Sequence, residues 1–246
     1  LAQGAVTEGE PVNFCVPTGN FGNILSAFYA KEMGLPIGRL LCASNSNNVL
    51  TDFIATGKYD RNRPFYNTVS PSMDILISSN LERLLYLLSG GDDKLVTGYM
   101  KELSDTGCYQ VSEEMRKKIQ SVFVGGFSSE AETEATIGKM MDEHKYLIDT
   151  HTAVAFHVLE QYRKETGDQT KTVVASTASP FKFCDAVLDA LNVTDKATGT
   201  ALLDQLAEVS GMPAPQPLAT LKDKQVRFTS WTEKEQMRAV VTDFLK

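Results

Sequence analysis

Residues 12–43 confine the chain to a small set of folds. Val12-Asn13-Phe14-Cys15-Val16 is a short β-branched and aromatic run closed by Pro17-Thr18-Gly19, which predicts a buried strand. From Asn23 to Met33 the spacing is helical, with Ile24, Ala27, Phe28 and Tyr29 on one broad apolar face. Gly34 suits the left-handed residue that ends such a helix, and Pro36 prevents its continuation. Leu40 to Ala43 is a second apolar strand, and Asn48 to Thr56 reads as a short helix closed by Gly57. Strand, tight turn, helix and strand make a βαβ unit. Such units imply an α/β fold, with a mainly parallel sheet and helices on its faces.

The rest of the chain extends this pattern. Residues 58–78, rich in Asn, Pro and Ser, read as irregular, and Ser79-Asn80-Leu81-Glu82 has the form of a capping box opening a helix that ends at Gly90-Gly91. Residues 92–145 carry much charge and few strand signals. They are expected to form a mostly helical insertion, with one short apolar strand at Val122 to Val124 and a capping box at Ser129 and Glu132. The α/β domain would then comprise residues 1–91 and 146–246. An amphipathic helix is expected from Thr150 to Glu165, stopped by Gly167. A buried strand from Thr172 to Ser176 follows, and after Pro180 a helix to about Leu191. Pro213, Pro215 and Pro217 form a link to a last helix after a third box, Thr232 with Glu235.

Composition narrows the class. The 246 residues are 42% hydrophobic and 22% charged, enough for one sizeable core or two smaller ones. The net charge of −7 is spread over acidic residues set between basic ones, with no basic stripe to suit a nucleic acid. No apolar run approaches the ~20 residues of a membrane span, and the start of the chain lacks a signal-peptide pattern. Cys15, Cys42, Cys108 and Cys184 show no CxxC spacing and read as reduced thiols of a cytoplasmic protein. His151 and His157, six apart, fall on different helix faces, and His144 lies in a charged stretch, so no metal site is expected. The opening Leu1-Ala2-Gln3, without Met, fits a processed protein or an excised fragment. Oligomeric state is not encoded in any of these features.

The turn after the first strand carries the chemistry. Thr18-Gly19-Asn20-Phe21-Gly22-Asn23 joins a buried strand to a helix N-terminus, and its two glycines permit positive φ and a close approach of ligand to backbone. The amides of the loop and of the first helical turn have no partner within the fold, and the helix macrodipole favours an anion there. A phosphate fits without a lysine. No Gly-Lys-Ser/Thr follows, which excludes a P-loop, and GxGxxG is absent. A tight βα turn with ordinary glycines is the other reading.

Val16 to Asn23 resembles the pyridoxal-phosphate (PLP) phosphate loop of the threonine synthase family, whose members have the fold-type II PLP architecture. The likeness continues in family order through residues 30–36, 43–48 and 70–75, Asp149-Thr150-His151-Thr152-Ala153-Val154, and Ser176-Thr177-Ala178-Ser179-Pro180-Phe181-Lys182-Phe183. The resemblance implies PLP as cofactor, with its phosphate held by Gly19, Asn20, Phe21, Gly22 and Asn23. It gives Thr18 as an extra hydroxyl donor and Thr177 as the hydroxyl facing the pyridine nitrogen. Asn45, Asn47 and Asn48 are either substrate contacts or ordinary turn residues. Lys182 is read as a helix-start cation or a neighbour of the substrate phosphate. Asp149 or Thr150 would cap the helix that begins at His151. Many members carry His where this chain has Ser179.

The implied reaction converts O-phospho-L-homoserine and water to L-threonine and phosphate. The family's Schiff-base lysine lies in a Ser-Phe-Lys-Asp-like segment of the N-terminal half, and no such segment occurs here. The chain is therefore expected to be roughly the second half of the enzyme, with no catalytic residue of its own and no activity in isolation. The alternatives are a phospholyase that releases phosphate and 2-oxobutyrate, and a non-catalytic PLP-fold binding or regulatory protein.

Overall fold

A computed structural model describes residues 1–246. Six strands form, β1 (Val12–Pro17), β2 (Ile37–Ser44), β3 (Lys58–Asp60), β4 (Cys108–Gln110), β5 (Phe123–Phe127) and β6 (Thr172–Val174). The principal helices are α1 (Gly22–Glu32), α2 (Val49–Thr56), α3 (Leu81–Leu88), α4 (Asp93–Thr106), α5 (Glu113–Val122), α6 (Glu130–His144), α7 (Thr150–Thr166), α8 (Cys184–Ala190), α9 (Ala201–Ser210), α10 (Gln216–Ala219) and α11 (Met237–Phe244). Four strands make one parallel sheet in the order β5-β2-β1-β6, as the βαβ reading requires.

Alternation along the central strands divides the sheet between two cores. Val16, Leu40, Cys42 and Phe123 face α1, α2, α3 and α5. Cys15, Leu41 and Ala43 face Val154, Ala155 and Val158 of α7 on the other side. A third cluster joins α6, α8 and α9 through Ile137, Val187, Leu188 and Leu206. Cys42 and Cys15 lie deep in the first two cores and Cys184 in the third, and burial pushes the Cys42 thiol up to about 12.

Residues 92–145 are mostly helical, but β5 within them hydrogen-bonds to β2 and forms one edge of the sheet, so the stretch is not an insertion apart from the α/β domain. Its Gly125-Gly126 pair explains why the strand is hard to see. A Cβ on Gly125 would lie 2.9 Å from Thr51 Cα, and one on Gly126 would lie 2.6 Å from Val158 Cγ1, so α2 and α7 close on both faces of the strand. Within the stretch expected to be irregular, β3 pairs antiparallel with β4. Tyr59 and Tyr109 stack there at 5.3 Å, and the Tyr59 hydroxyl donates to Leu76 O while accepting from Ser78 N.

The strand at Thr172 is at the other edge rather than buried, with Val173 46% exposed. Only one of the three capping boxes forms, at Ser129 and Glu132. At the first, Asn80 is the cap residue and its side chain is committed elsewhere, to Asn20 O. At the third, a single 3-10 turn over Lys234–Gln236 intervenes before α11, and no side chain caps that helix. The helix α9 lies in the tail before the proline link, where no helix was expected.

Candidate functional site at the carboxyl end of the sheet

The turn between β1 and α1 is a row of free donors. The backbone amides from Gly19 to Ile24 donate to no group in the protein; the first intrahelical acceptor used is Phe21 O, by Leu25 N. The carbonyls of the turn face away from this row and are tied down. Gly19 O accepts from Ser78 Oγ at 2.8 Å, and Asn20 O accepts from Asn80 Nδ2 at 2.8 Å and Asn80 N at 3.2 Å. A small cavity of about 210 Å³ is lined by residues Pro17 to Asn23 alone. With the carbonyls of Gly19 and Asn20 engaged and the amides from Gly19 to Ile24 free, the turn and the N-terminus of α1 offer unpaired donors. That is an anion cradle with no cationic side chain of its own.

The glycines serve a purpose different from the one expected. The left-handed residue is Phe21, at φ 64°, while Gly19 and Gly22 have no positive φ. Phe21 caps α1, and its buried ring packs 5.4 Å from that of Phe123 in β5. Gly19 is needed for close approach, since a Cβ there would lie 3.1 Å from both Ser72 O and Met73 Cα. At Gly22 the nearest atom is the Asn80 side-chain nitrogen, 3.3 Å away. Thr18 also departs from expectation. Its hydroxyl donates to Val16 O at 2.7 Å and so is engaged within its own turn.

Beside the cradle, β6 runs parallel to β1, and the segment just after it carries Ser176 and Thr177, both exposed; Thr177 makes no hydrogen bond within the protein. The two strand ends are joined from below by the start of α7. Asp149, fully buried, caps that helix by accepting from His151 N at 2.9 Å and Thr152 N at 3.3 Å. It also takes a bond from the Thr152 hydroxyl and lies 3.0 Å from His151 Nδ1. His151 Nε2 accepts from Ser72 N at 3.3 Å, which places the ring proton on Nδ1, facing the carboxylate. Thr152 Oγ1 is 3.2 Å from Ser176 Oγ.

Burial by itself would push the Asp149 carboxyl up, yet the donors from His151 and Thr152 outweigh it and hold the group below its ordinary range. A depressed carboxyl stabilises the fold at pH above its unfolded value, and that contribution is lost as pH falls through the folded one. Wild-type stability should therefore fall across the acid range more steeply than that of Asp149→Asn. Denaturant midpoints measured from neutral pH downward check this, and parallel profiles for the two proteins would refute it.

The sequence relatives fit this geometry. The family model described as "Threonine synthase, C-terminal" matches residues 152–241. A PLP-bound threonine synthase from Brucella melitensis superposes with a TM-score of 0.82 at 35% identity, over 99% of this chain and 47% of that one. The yeast threonine synthase structure gives a TM-score of 0.82 at 33% identity, over 97% of this chain and 48% of that one. The chain belongs to the threonine synthase family. Human threonine synthase-like 1 is 42% identical over 215 residues, which make up 87% of this chain and 28% of that protein. The chain thus spans less than half the length of these relatives, and corresponds to their C-terminal part. Its sheet and flanking helices are the fold-type II architecture of threonine synthases.

Within this family member the other expected contacts divide. Asn45 is buried, and its amide donates to Thr68 Oγ1, Ser70 Oγ and Asp74 Oδ1, at 2.8, 3.0 and 2.8 Å, while its Oδ1 accepts from Asn47 N. Asn47 is likewise tied to Tyr66 and Asp74, and Asn48 Oδ1 accepts from Arg63 at 3.1 Å. These asparagines fasten the turn after β2 to residues 63–74, which is the ordinary turn reading. Lys182 is exposed, forms no ion pair, and has its ammonium 6.0 Å from the Phe183 ring centre. The residues missed from sequence are Ser72, Ser78 and Asn80, which hold the cradle from outside, and Asp74, which anchors Asn45 and Asn47. Ser70 to Ile75 stood out only as a family-like run, and Asn80 was hidden inside an apparent capping box.

Proposed function

We propose that this chain supplies the phosphate-binding and ring-facing part of a PLP-dependent enzyme that converts O-phospho-L-homoserine and water to L-threonine and phosphate. The observation that carries the reading is the row of free amides from Gly19 to Ile24 at the carboxyl end of β1, where open α/β sheets bind their ligands. The donor set suits a phosphate monoester: uncharged, convergent and mounted on a helix N-terminus. When bound, PLP supplies the electron sink for proton transfers at the substrate carbons.

The protein's own part is positional. The amides of residues 19–23 hold the phosphate, and Phe21 fixes their shape through its packing on Phe123. Thr177 offers the pyridine nitrogen a neutral hydroxyl in place of the carboxylate that other PLP folds use. Lys182 stands free to meet a substrate phosphate, whereas Thr18, Asn45 and Asn48 have their polar groups engaged within the protein. The lysine that would hold the cofactor covalently lies outside the motifs present in this chain, which by itself is inactive in this reading.

The test has two parts. Titrating the chain with inorganic phosphate or PLP should slow hydrogen exchange at the amides of residues 19–24 and nowhere else to the same degree. The full-length protein with PLP and O-phospho-L-homoserine should form threonine and phosphate in equal amounts. Accumulation of a 2-oxo acid would replace synthesis by elimination, and PLP binding without turnover would make the protein a binding or regulatory one.

A further inference from the structure

We propose that Asp149 is a positioning residue that locks the phosphate cradle and the Ser176–Thr177 strand end into one unit. An aspartate that merely caps a helix needs only the amides of the first turn. Asp149 has these, and in addition both of its oxygens are engaged by side chains that lead outward to different loops. One arm runs through the His151 ring to Ser72 N, at 3.3 Å. Ser72 sits in the 3-10 turn Pro71–Met73, against whose backbone Gly19 is pressed. The other arm runs through the Thr152 hydroxyl to Ser176 Oγ, at 3.2 Å, beside Thr177.

Three features make this more than a local cap. The carboxylate is fully buried and has donors on both oxygens, so neither arm can be released without leaving a charged acceptor short of partners. The Phe183 ring, 4.8 Å from that of His151, shields the first arm. The two arms also end on opposite parts of the proposed cofactor site, one behind its phosphate and one beside its ring. Asp149 touches neither. It sets the spacing between the groups that do.

The inference takes its ligand from the PLP reading above, but the linkage between the loops can be tested without it. Asp149→Ser is the decisive variant in the full-length protein, because serine still caps a helix yet cannot serve both arms. It should lower the backbone amide order parameters at residues 19–24 and at 176–177 together, and weaken PLP binding about tenfold or more. Thr152→Val should loosen only residues 176–177. It should weaken PLP while leaving inorganic phosphate unchanged, and Thr152→Ser should restore both readouts. His151→Phe should loosen residues 19–24 and weaken inorganic phosphate as well as PLP. Unchanged order parameters at both loops in Asp149→Ser would overturn the proposal. If that variant does not fold, equal behaviour of Thr152→Val and Thr152→Ser would do the same. Wild-type protein that binds neither phosphate nor PLP would count against the cofactor reading alone, and the order parameters would still decide the linkage.

Discussion

Phe21→Ala is expected to lower stability by roughly 3–5 kcal/mol and to remove phosphate affinity, since a fully buried aromatic is lost from a core. The ring is 1% exposed and packs on Phe123, which itself lies 5.7 Å from Phe28. Removing it detaches the cradle from β5, two strands away. The comparison with glycine is sharper. At φ 64° an L-residue suffers a left-handed penalty of about 1–2 kcal/mol, against roughly 0.5–1 kcal/mol for the extra freedom of unfolded glycine. Phe21→Gly should therefore be more stable than Phe21→Ala by about 0.5–1 kcal/mol, the reverse of the order in a helix interior. Urea denaturation of the two variants measures the difference, and an alanine variant equal to or more stable than glycine would show that the turn is not held in this conformation.

Gly19→Ala should damage ligand binding more than any other single methyl added to the turn. The new Cβ would meet backbone atoms, Ser72 O and Met73 Cα at 3.1 Å, and backbone cannot swing aside as a side chain can. Overpacking of this kind costs about 1–3 kcal/mol, and if the turn yields by moving away from residues 72–73 the amides diverge and phosphate binds about tenfold or more weakly. Gly22→Ala is the control. Its contact is the end of a side chain, Asn80 Nδ2 at 3.3 Å, which can give way where backbone cannot, so both the stability loss and the affinity loss should be smaller. Calorimetric titration with inorganic phosphate ranks the two, and a Gly22→Ala variant worse than Gly19→Ala would contradict the close-approach account.

The local part of the fold was open to sequence reasoning because period, β-branching and turn residues act over a few neighbours. That is why β1, α1, β2 and α7 stand within a few residues of their expected bounds. The strand β5 was only half visible, because its glycines were chosen by α2 and α7 pressing from two sides and not by strand propensity. The cradle's position was legible from Thr18 to Asn23, but not the fact that phenylalanine, rather than glycine, takes the left-handed place. Tertiary packing on Phe123 pays for that conformation and leaves no local mark. Asp149 looked like any N-cap residue. The contacts that distinguish it reach Ser72 and Ser176 only through His151 and Thr152, across 79 and 24 residues of chain.

The strand order also has a consequence for the order of assembly. β1 is synthesised well before its second neighbour in the sheet, β6, whose Thr172 pairs with Asn13. Parallel pairing across so long a crossover closes slowly, because most of the intervening chain must already be arranged. During synthesis, the glycine turn therefore leaves the ribosome long before Asp149, Thr152 and Ser176, the residues that brace it. The nascent chain carries a turn with the right sequence and no fixed shape, and it becomes a cradle only near the end of folding.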